Sequence, residues 1–384
     1  MSAPDHIVVV GSGAYVIGDA YGPGVVLRSL LAWLDRRGRA GAITLTARTD
    51  ERRAAATRGA AEAVAELGSR TPVSVVAADD VGRLLGERPL AVFVCVPDRA
   101  HQQYVELAAR AGVPAWLVKP VTGDFATARG LEASCRAQGA AVWVDYHKRF
   151  DASNLLLRAS VARAEHGRPL HYFVQYSQPR DLPMQRFAWA ADVDPLTYIG
   201  CHYLDQLAFV FPGVVAERAM AIAVDGPVRQ AVGGRAHDHV ICEVALRYQG
   251  QPLLASLHVG WANPLGAPAK SVQRVELDCE RGKTVADQTA RGYQVWTDAG
   301  TREVNPYFFQ CLPDPATGDP TASGYGYDSV ARFLDYCVAP ADQQRRLRAS
   351  ATLPWIENAV FAERVLAAAT ASMASGSGWV DITS

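Results

Sequence analysis

The run His6-Ile7-Val8-Val9-Val10, apolar from Ile7 on, is followed at once by Gly11-Ser12-Gly13. No other feature restricts the fold as much. A strand that is apolar on both faces must be covered on both faces, which is the habit of a parallel sheet flanked by helices. Two glycines straight after such a strand let the backbone turn sharply and bring its N–H groups up to a pyrophosphate. The residues that follow repeat the pattern. Val25–Arg37 carries Val26, Leu27, Leu30, Leu31 and Leu34 at helical spacing. Ala42–Ala47 reads as a second strand and Asp50–Leu67 as an Ala/Glu/Arg-rich helix. Val73–Ala77, Ala91–Val96, Ala115–Val118 and Ala141–Asp145 are further short apolar strands, with helices between most of them. This alternation predicts an α/β, doubly wound parallel sheet over residues 1–146. Right-handed crossovers then line the strand C-terminal ends along one ligand-binding edge.

Gly11, Ser12 and Gly13 are the expected pyrophosphate cradle, although the loop exceeds the usual G-x-G-x-x-G. Val16 holds the third glycine position, Gly18 comes two residues late, and Gly22-Pro23-Gly24 precedes the helix. At the end of the second strand an acidic residue on the ribose 2′-hydroxyl marks NAD. Here the string is Thr46-Ala47-Arg48-Thr49-Asp50. Arg48, with Thr49 beside it, can stack on adenine and pair with a 2′-phosphate, so NADP(H) is favoured over NAD(H). The competing reading leaves Arg48 solvated and gives the ribose to Asp50. Pro97 and Asp98 end the fourth strand, where the chain turns across the nucleotide. His101 starts the next helix, where a local hydrogen bond outweighs a catalytic role. Lys119 follows Ala115-Trp116-Leu117-Val118 and precedes Pro120. A lysine in so apolar a place can polarise a hydroxyl or relay a proton.

After Phe150 the strands lengthen and alternate: Leu170–Ser177, Ala216–Val224, Val240–Tyr248, Leu253–Val259 and Val272–Cys279, with Gln249-Gly250-Gln251 as a hairpin turn. Residues 147–384 therefore read as an α+β domain with a large, open, mainly antiparallel sheet and a helix at Tyr198–Phe211 beside it. Pro306–Ser323 reads as a loop, and Tyr327–Val338 and Leu353–Ser375 as closing helices. In Tyr146-His147-Lys148-Arg149-Phe150-Asp151, where the domains join, the polar side chains read as ligand contacts or as a salt-bridge cluster. The helix Tyr198-Ile199-Gly200-Cys201-His202-Tyr203-Leu204-Asp205 sets Tyr198 and His202 one turn apart on one face, with Asp205 a turn beyond. A phenol, an imidazole and a carboxylate in file can move a proton, and the imidazole titrates near neutral pH. The plainer reading is an amphipathic helix with Tyr and His in a polar seam. The dinucleotide cradle and Lys119 favour chemistry.

Composition removes several other classes. A chain of 384 residues suits two domains. Its net charge is −1 and it has no basic stripe with interleaved aromatics, so nucleic acid is not an expected partner. Seven scattered Cys without a C-x-x-C pair argue against a disulfide framework and a structural zinc, and for a reducing compartment. No apolar run reaches the ~18 residues of a membrane span. The first strand begins too early to leave room for a signal peptide. A cytoplasmic protein without a metal is expected.

In order along the chain, Gly11-x-Gly13, Val96-Pro97-Asp98-x-x-His101, Lys119-Pro120, Arg149-Phe150 and Gly200-x-His202-x-x-Asp205 resemble the glucose–fructose oxidoreductase / inositol dehydrogenase (Gfo/Idh/MocA) family. The resemblance extends to a closing strand, Gly378 to Ile382, after a long helix. It implies a Rossmann domain, an open antiparallel α/β domain, and dimers or tetramers formed through the open sheet. It implies oxidation or reduction of a secondary alcohol on a sugar or cyclitol with NAD(P). Lys119 and His202 match the family's catalytic Lys and His. Pro97, Asp98 and His101 fall along the cofactor, and His147 and Lys148 match its substrate-facing positions. Three departures stand out: Val118 where the family has Glu, the lengthened glycine loop, and Tyr198 where an Asp precedes the His by four residues. Tyr198 cannot hold His202 by charge, but it can itself be the acid or base, so the proton falls to Tyr198 or His202. The expected function is an NADP(H)-dependent oxidoreductase of a sugar or cyclitol, with a hint of secondary metabolism in the Ala/Arg-rich composition. A phosphorylated or nucleotide-linked sugar, its anion met by His147, Lys148 and Arg180, is the alternative. A non-catalytic NADP-binding regulator is another, against which the retained Lys119 and His202 speak.

Overall fold

The computed structural model describes residues 5–19, 22–38 and 41–383. Six strands make the first sheet: β1 (Asp5–Val10), β2 (Gly41–Ala47), β3 (Val73–Ala77), β4 (Ala91–Val94), β5 (Ala115–Leu117) and β6 (Val142–Val144). All run parallel, in the order β3-β2-β1-β4-β5-β6. The order reverses beside β1, which places a switch point at the C-terminal ends of β1 and β4. Ile7, Val8 and Val9 are wholly buried, as a strand covered on both faces requires.

The helix expected over Val25–Arg37 is present, and a separate turn precedes it. α1 (Ala14–Ile17) is a single turn, a ribbon pairs Gly18–Asp19 with Gly22–Pro23, and α2 (Val25–Arg36) follows. A Cβ on Gly24 would stand 2.4 Å from both the Val16 oxygen and the Gly18 nitrogen, so only glycine closes this crossing. The late glycines in the sequence are therefore the joints of the inserted ribbon. α3 (Asp50–Leu67) follows β2.

The chain divides into two units. The first holds the residues up to Thr122, Ala126–Asp151 and Tyr307–Ala359; the second holds Gly123–Phe125, Ala152–Pro306 and the residues from Val360 on. The expected single division at 146/147 misses the return at Tyr307. Aromatic packing explains that return. Phe333, on the helix Tyr325–Cys337, meets Phe93 at 5.6 Å and Trp143 at 6.2 Å between ring centroids. Trp355 stands edge-on to Trp143 at 5.1 Å. The stretch Pro306–Ser323 is also not all loop, since Gln310–Pro313 pairs with Pro320–Ser323.

In the second unit seven strands form one sheet: β7 (Pro169–Pro179), β8 (Val215–Val224), β9 (His239–Tyr248), β10 (Gln251–Asn263), β11 (Val272–Cys279), β12 (Gly282–Asp287) and β13 (Val380–Asp381). Their order is β12-β11-β7-β10-β9-β8-β13. The sheet is mostly antiparallel but mixed, because β7 and β10 pair in parallel. Hairpins do not join those two strands; a long connection does, and it permits either direction. Gln249 (φ +50°) and Gly250 (φ +79°) form the tight turn between β9 and β10, with both central residues left-handed as such hairpins prefer. Tyr172, Val174, Cys242, Val244, Leu257 and Val259 are buried on one face. The helix Cys201–Val210 lies against that face: Tyr203 donates to Gln273 Oε1 at 3.3 Å, and its ring lies 6.0 Å from that of Tyr176. Among the described residues no helix is long and apolar enough to cross a membrane, and the cysteines are free thiols.

Candidate active site

In the first unit the expected cofactor residues gather at the C-terminal edge of the sheet. Gly11 has φ +108°, and a Cβ there would fall 2.2 Å from the Cys95 carbonyl oxygen. Only glycine lets the turn after β1 lie so close to the turn after β4. Its N–H donates to Thr46 Oγ1 at 3.3 Å, which ties the turn to β2. Gly13 differs: a Cβ on it would meet nothing within 4 Å. A sharp turn with an open face beyond it, next to half-buried Ser12, fits a dinucleotide pyrophosphate.

Past β2, Arg48 is exposed. Thr49 caps α3, its hydroxyl accepting from the Arg52 N–H at 3.2 Å. Asp50 is paired with Arg53. The hydroxyl of Thr49 thus serves the helix, and Arg48 is the charge presented at the end of β2. Asp98 begins a short turn after Pro97. His101 is wholly buried. Its Nε2 faces the Val96 carbonyl at 2.9 Å, and its Nδ1 faces those of Pro120 and Val121 at 3.1 and 3.0 Å. The ring therefore joins the turn after β4 to the turn after β5, where half-buried Lys119 stands before Pro120.

Beyond β6 lies a network that sequence reasoning missed. Tyr15 of α1 donates its hydroxyl to Asp145 Oδ2 at 2.8 Å. His147 Nδ1 stands 3.1 Å from the same oxygen, and Ser329 donates to Oδ1 at 2.7 Å. Trp143 Nε1 in turn donates to Ser329 Oγ at 3.3 Å. Burial and the adjoining carboxylate push the Tyr15 phenol well above its ordinary range, so it remains a donor. Asp145 did leave a trace in the sequence: a carboxylate closing an apolar strand is costly to bury unless it is paired. Tyr15 left none, because its partner is 130 residues away. Lys148 and Arg149 are buried, and Arg149 Nη1 donates to the Thr352 carbonyl at 3.0 Å.

In the second unit Tyr198 lies in a π-helical turn, Leu196–Gly200, that leads into the α-helix Cys201–Val210. The segment is thus two kinds of turn rather than one helix, a feature frequent at functional sites. Asp194 anchors it, accepting from the Thr197 N–H (2.7 Å), the Thr197 hydroxyl (3.0 Å) and Arg235 Nη2 (2.5 Å). The Tyr198 ring sits among Trp189 (5.0 Å), Phe187 (5.2 Å) and Trp261 (6.0 Å). No spacing rule singled out those three rings, because their chain positions share no period. His202 and Asp205 are 2% and 1% exposed. Arg180 follows β7, its N–H donating to the Asn263 carbonyl at 3.1 Å. Among the described residues no group of three or more His, Cys, Asp or Glu is placed to hold a metal.

Comparison with known proteins agrees with this architecture. Residues 6–146 match the NAD-binding Rossmann fold of the GFO/IDH/MocA oxidoreductase family, and residues 155–285 match the GFO/IDH/MocA C-terminal domain. Myo-inositol dehydrogenase Hyg17 of Streptomyces leeuwenhoekii is 31% identical over 103 residues, a match spanning 27% of this chain and 31% of that relative. Among solved structures, GenD2 from gentamicin A biosynthesis in complex with NAD superposes with a TM-score of 0.70 at 17% identity, covering 100% of this chain and 98% of that one. Scyllo-inositol dehydrogenase from Lactobacillus casei, with NAD(H) and scyllo-inositol bound, gives 0.68 at 16% identity over 100% of both chains. A myo-inositol dehydrogenase from Corynebacterium glutamicum gives 0.66 at 18% identity, again over 100% of both. With a six-stranded dinucleotide fold, a seven-stranded mixed sheet and both family domains in sequence, the chain belongs to the GFO/IDH/MocA oxidoreductase family.

Proposed function

We propose that this protein is an NADP(H)-favouring dehydrogenase that interconverts a secondary alcohol and a ketone on a sugar or cyclitol. The observation that carries this reading is the Gly11–Gly13 turn, closed on one side by Cys95 and open on the other. Gly11, Ser12 and Gly13 would hold the pyrophosphate, and Arg48 a 2′-phosphate. The nicotinamide supplies the hydride chemistry. Pro97 and Asp98 border the cofactor, and His101 acts through the loops that its ring joins. Lys119 polarises the substrate oxygen, and His202 or Tyr198 exchanges the hydroxyl proton. The aromatic surroundings of Tyr198 favour His202 for that step and give Tyr198 the role of shaping the substrate's place. His147, Arg180 and Asp205 contact the substrate. Relatives named for myo-inositol and scyllo-inositol support a cyclitol. We place the enzyme in the cytoplasm as a homodimer or homotetramer, with a role in secondary metabolism.

The direct test is cofactor absorbance during incubation with inositols, aminocyclitols, free sugars and sugar phosphates, each with NAD+ and with NADP+. Reduction by at least one uncharged cyclitol or sugar is expected; turnover of sugar phosphates alone would select the anionic alternative. Cofactor preference has its own test. Arg48→Asp should weaken NADPH by about 1.5–3 kcal/mol, roughly tenfold or more, and shift preference toward NADH. A parent protein that binds NADH more tightly than NADPH in a titration rules out the NADP assignment. Metal should be dispensable, because acid–base and hydride chemistry here draw on Lys, His and Tyr. Activity is expected to survive exhaustive chelation; loss with EDTA, restored by one specific metal, would contradict the mechanism.

A further inference from the structure

We propose that Tyr15 and Asp145 form a latch that shapes the nicotinamide half of the cofactor site and sets how tightly that half is held. The proposal rests on the dinucleotide reading of the first unit. In a sheet of order β3-β2-β1-β4-β5-β6 the dinucleotide straddles the switch point. Its adenosine ribose would lie toward the end of β2, and its other mononucleotide would lie over β4, β5 and β6. Tyr15 stands on α1, two residues past Gly13. Its ring stacks on Trp116 of β5, at 6.5 Å and 19°. Its hydroxyl ends on Asp145, one residue past β6, at 2.8 Å. A single side chain thus crosses from the glycine loop to the far edge of the half that the nicotinamide would occupy.

The receiving end is fixed. Asp145 is 1% exposed. Oδ2 takes Tyr15 and faces His147, while Oδ1 takes Ser329 of the helix Tyr325–Cys337. A buried carboxylate satisfied by donors from separate elements holds those elements in one arrangement. The His147 ring is bracketed by Tyr325 at 5.6 Å and Phe308 at 5.3 Å. The sending end needs such a hold. An unbroken helix after the glycine turn would carry its own cooperative hydrogen bonds. Here α1 is a single turn, cut off by the inserted ribbon, and the phenol ties it across the sheet instead.

The test is calorimetric titration of wild type, Tyr15→Phe and Asp145→Asn, each first shown to be folded by thermal melting. The probes are NADPH and NADH, and the fragments 2′-phospho-ADP-ribose and ADP-ribose, which lack the nicotinamide. Tyr15→Phe should lower affinity for the whole dinucleotide roughly tenfold, because the half-site is no longer held in the arrangement that the nicotinamide meets, and leave the matching fragment unchanged. Asp145→Asn keeps an oxygen that accepts from Tyr15, so its loss should be smaller than that of Tyr15→Phe. It also carries the test should Tyr15→Phe fail to fold. Equal losses for dinucleotide and fragment, or no loss for either, overturn the latch. A wild type that binds neither overturns the dinucleotide reading, and the latch with it.

Discussion

Lys119→Ala and His202→Ala are each expected to lower kcat by ~10²–10⁴-fold while NADPH still binds, because a positioned acid or base supplies acceleration of that size. Tyr198→Phe separates the remaining alternatives. It keeps the ring among Trp189, Phe187 and Trp261 and deletes only the hydroxyl. If His202 carries the proton, this variant loses little. Near-complete inactivity, with a displaced high-pH limb of the rate profile, would reassign the proton to Tyr198. Steady-state kinetics across pH, with cofactor titrations alongside, give the answer.

Two neighbouring glycines should fail in different ways. A Cβ at Gly11 would stand 2.2 Å from the Cys95 oxygen at φ +108°, so Gly11→Ala must push apart the turns after β1 and β4. Backbone strain at such an angle alone costs on the order of 1–3 kcal/mol, and the clash adds to it. The melting temperature should fall and cofactor binding should be lost together. Gly13→Ala meets nothing within 4 Å, so its melting temperature should hold. Its Cβ would instead occupy the open face assigned to the pyrophosphate, and cofactor affinity should drop by itself. A Gly13→Ala variant that binds NADPH as the wild type does would move the pyrophosphate away from this turn.

Much of the first unit was legible because its signals are local. Apolar runs, the Gly11–Gly13 turn and the helical spacing of Val26, Leu30 and Leu34 each lie within a few residues of one another. The unit's third segment was not legible. Phe333 and Trp355 join Phe93 and Trp143 from more than 180 residues away, and no periodicity announces such a return. The parallel pairing of β7 with β10 escaped for the same reason, since alternation reveals a strand but not its neighbour. In the site, residues at strand ends could be placed by counting: Gly11 after β1, Arg48 after β2, Lys119 after β5. Residues whose role comes from a distant partner could not, as with Tyr15 and Asp145 or Asp194 and Arg235. The inserted ribbon was visible as misplaced glycines, yet the single turn ahead of α2 rests on a strand pairing that no local signal carries.

Isotope transfer tests the proposed activity most directly. With the ketone of a responding cyclitol or sugar in hand, the protein is supplied with nicotinamide cofactor carrying deuterium at C4, and the product is examined by mass spectrometry and NMR. One deuterium at the new carbinol carbon is the expected result, lost when Lys119 or His202 is replaced by alanine. A protein that binds the cofactor tightly yet delivers no deuterium to any ketone of the panel would be a nucleotide-binding regulator and not a dehydrogenase.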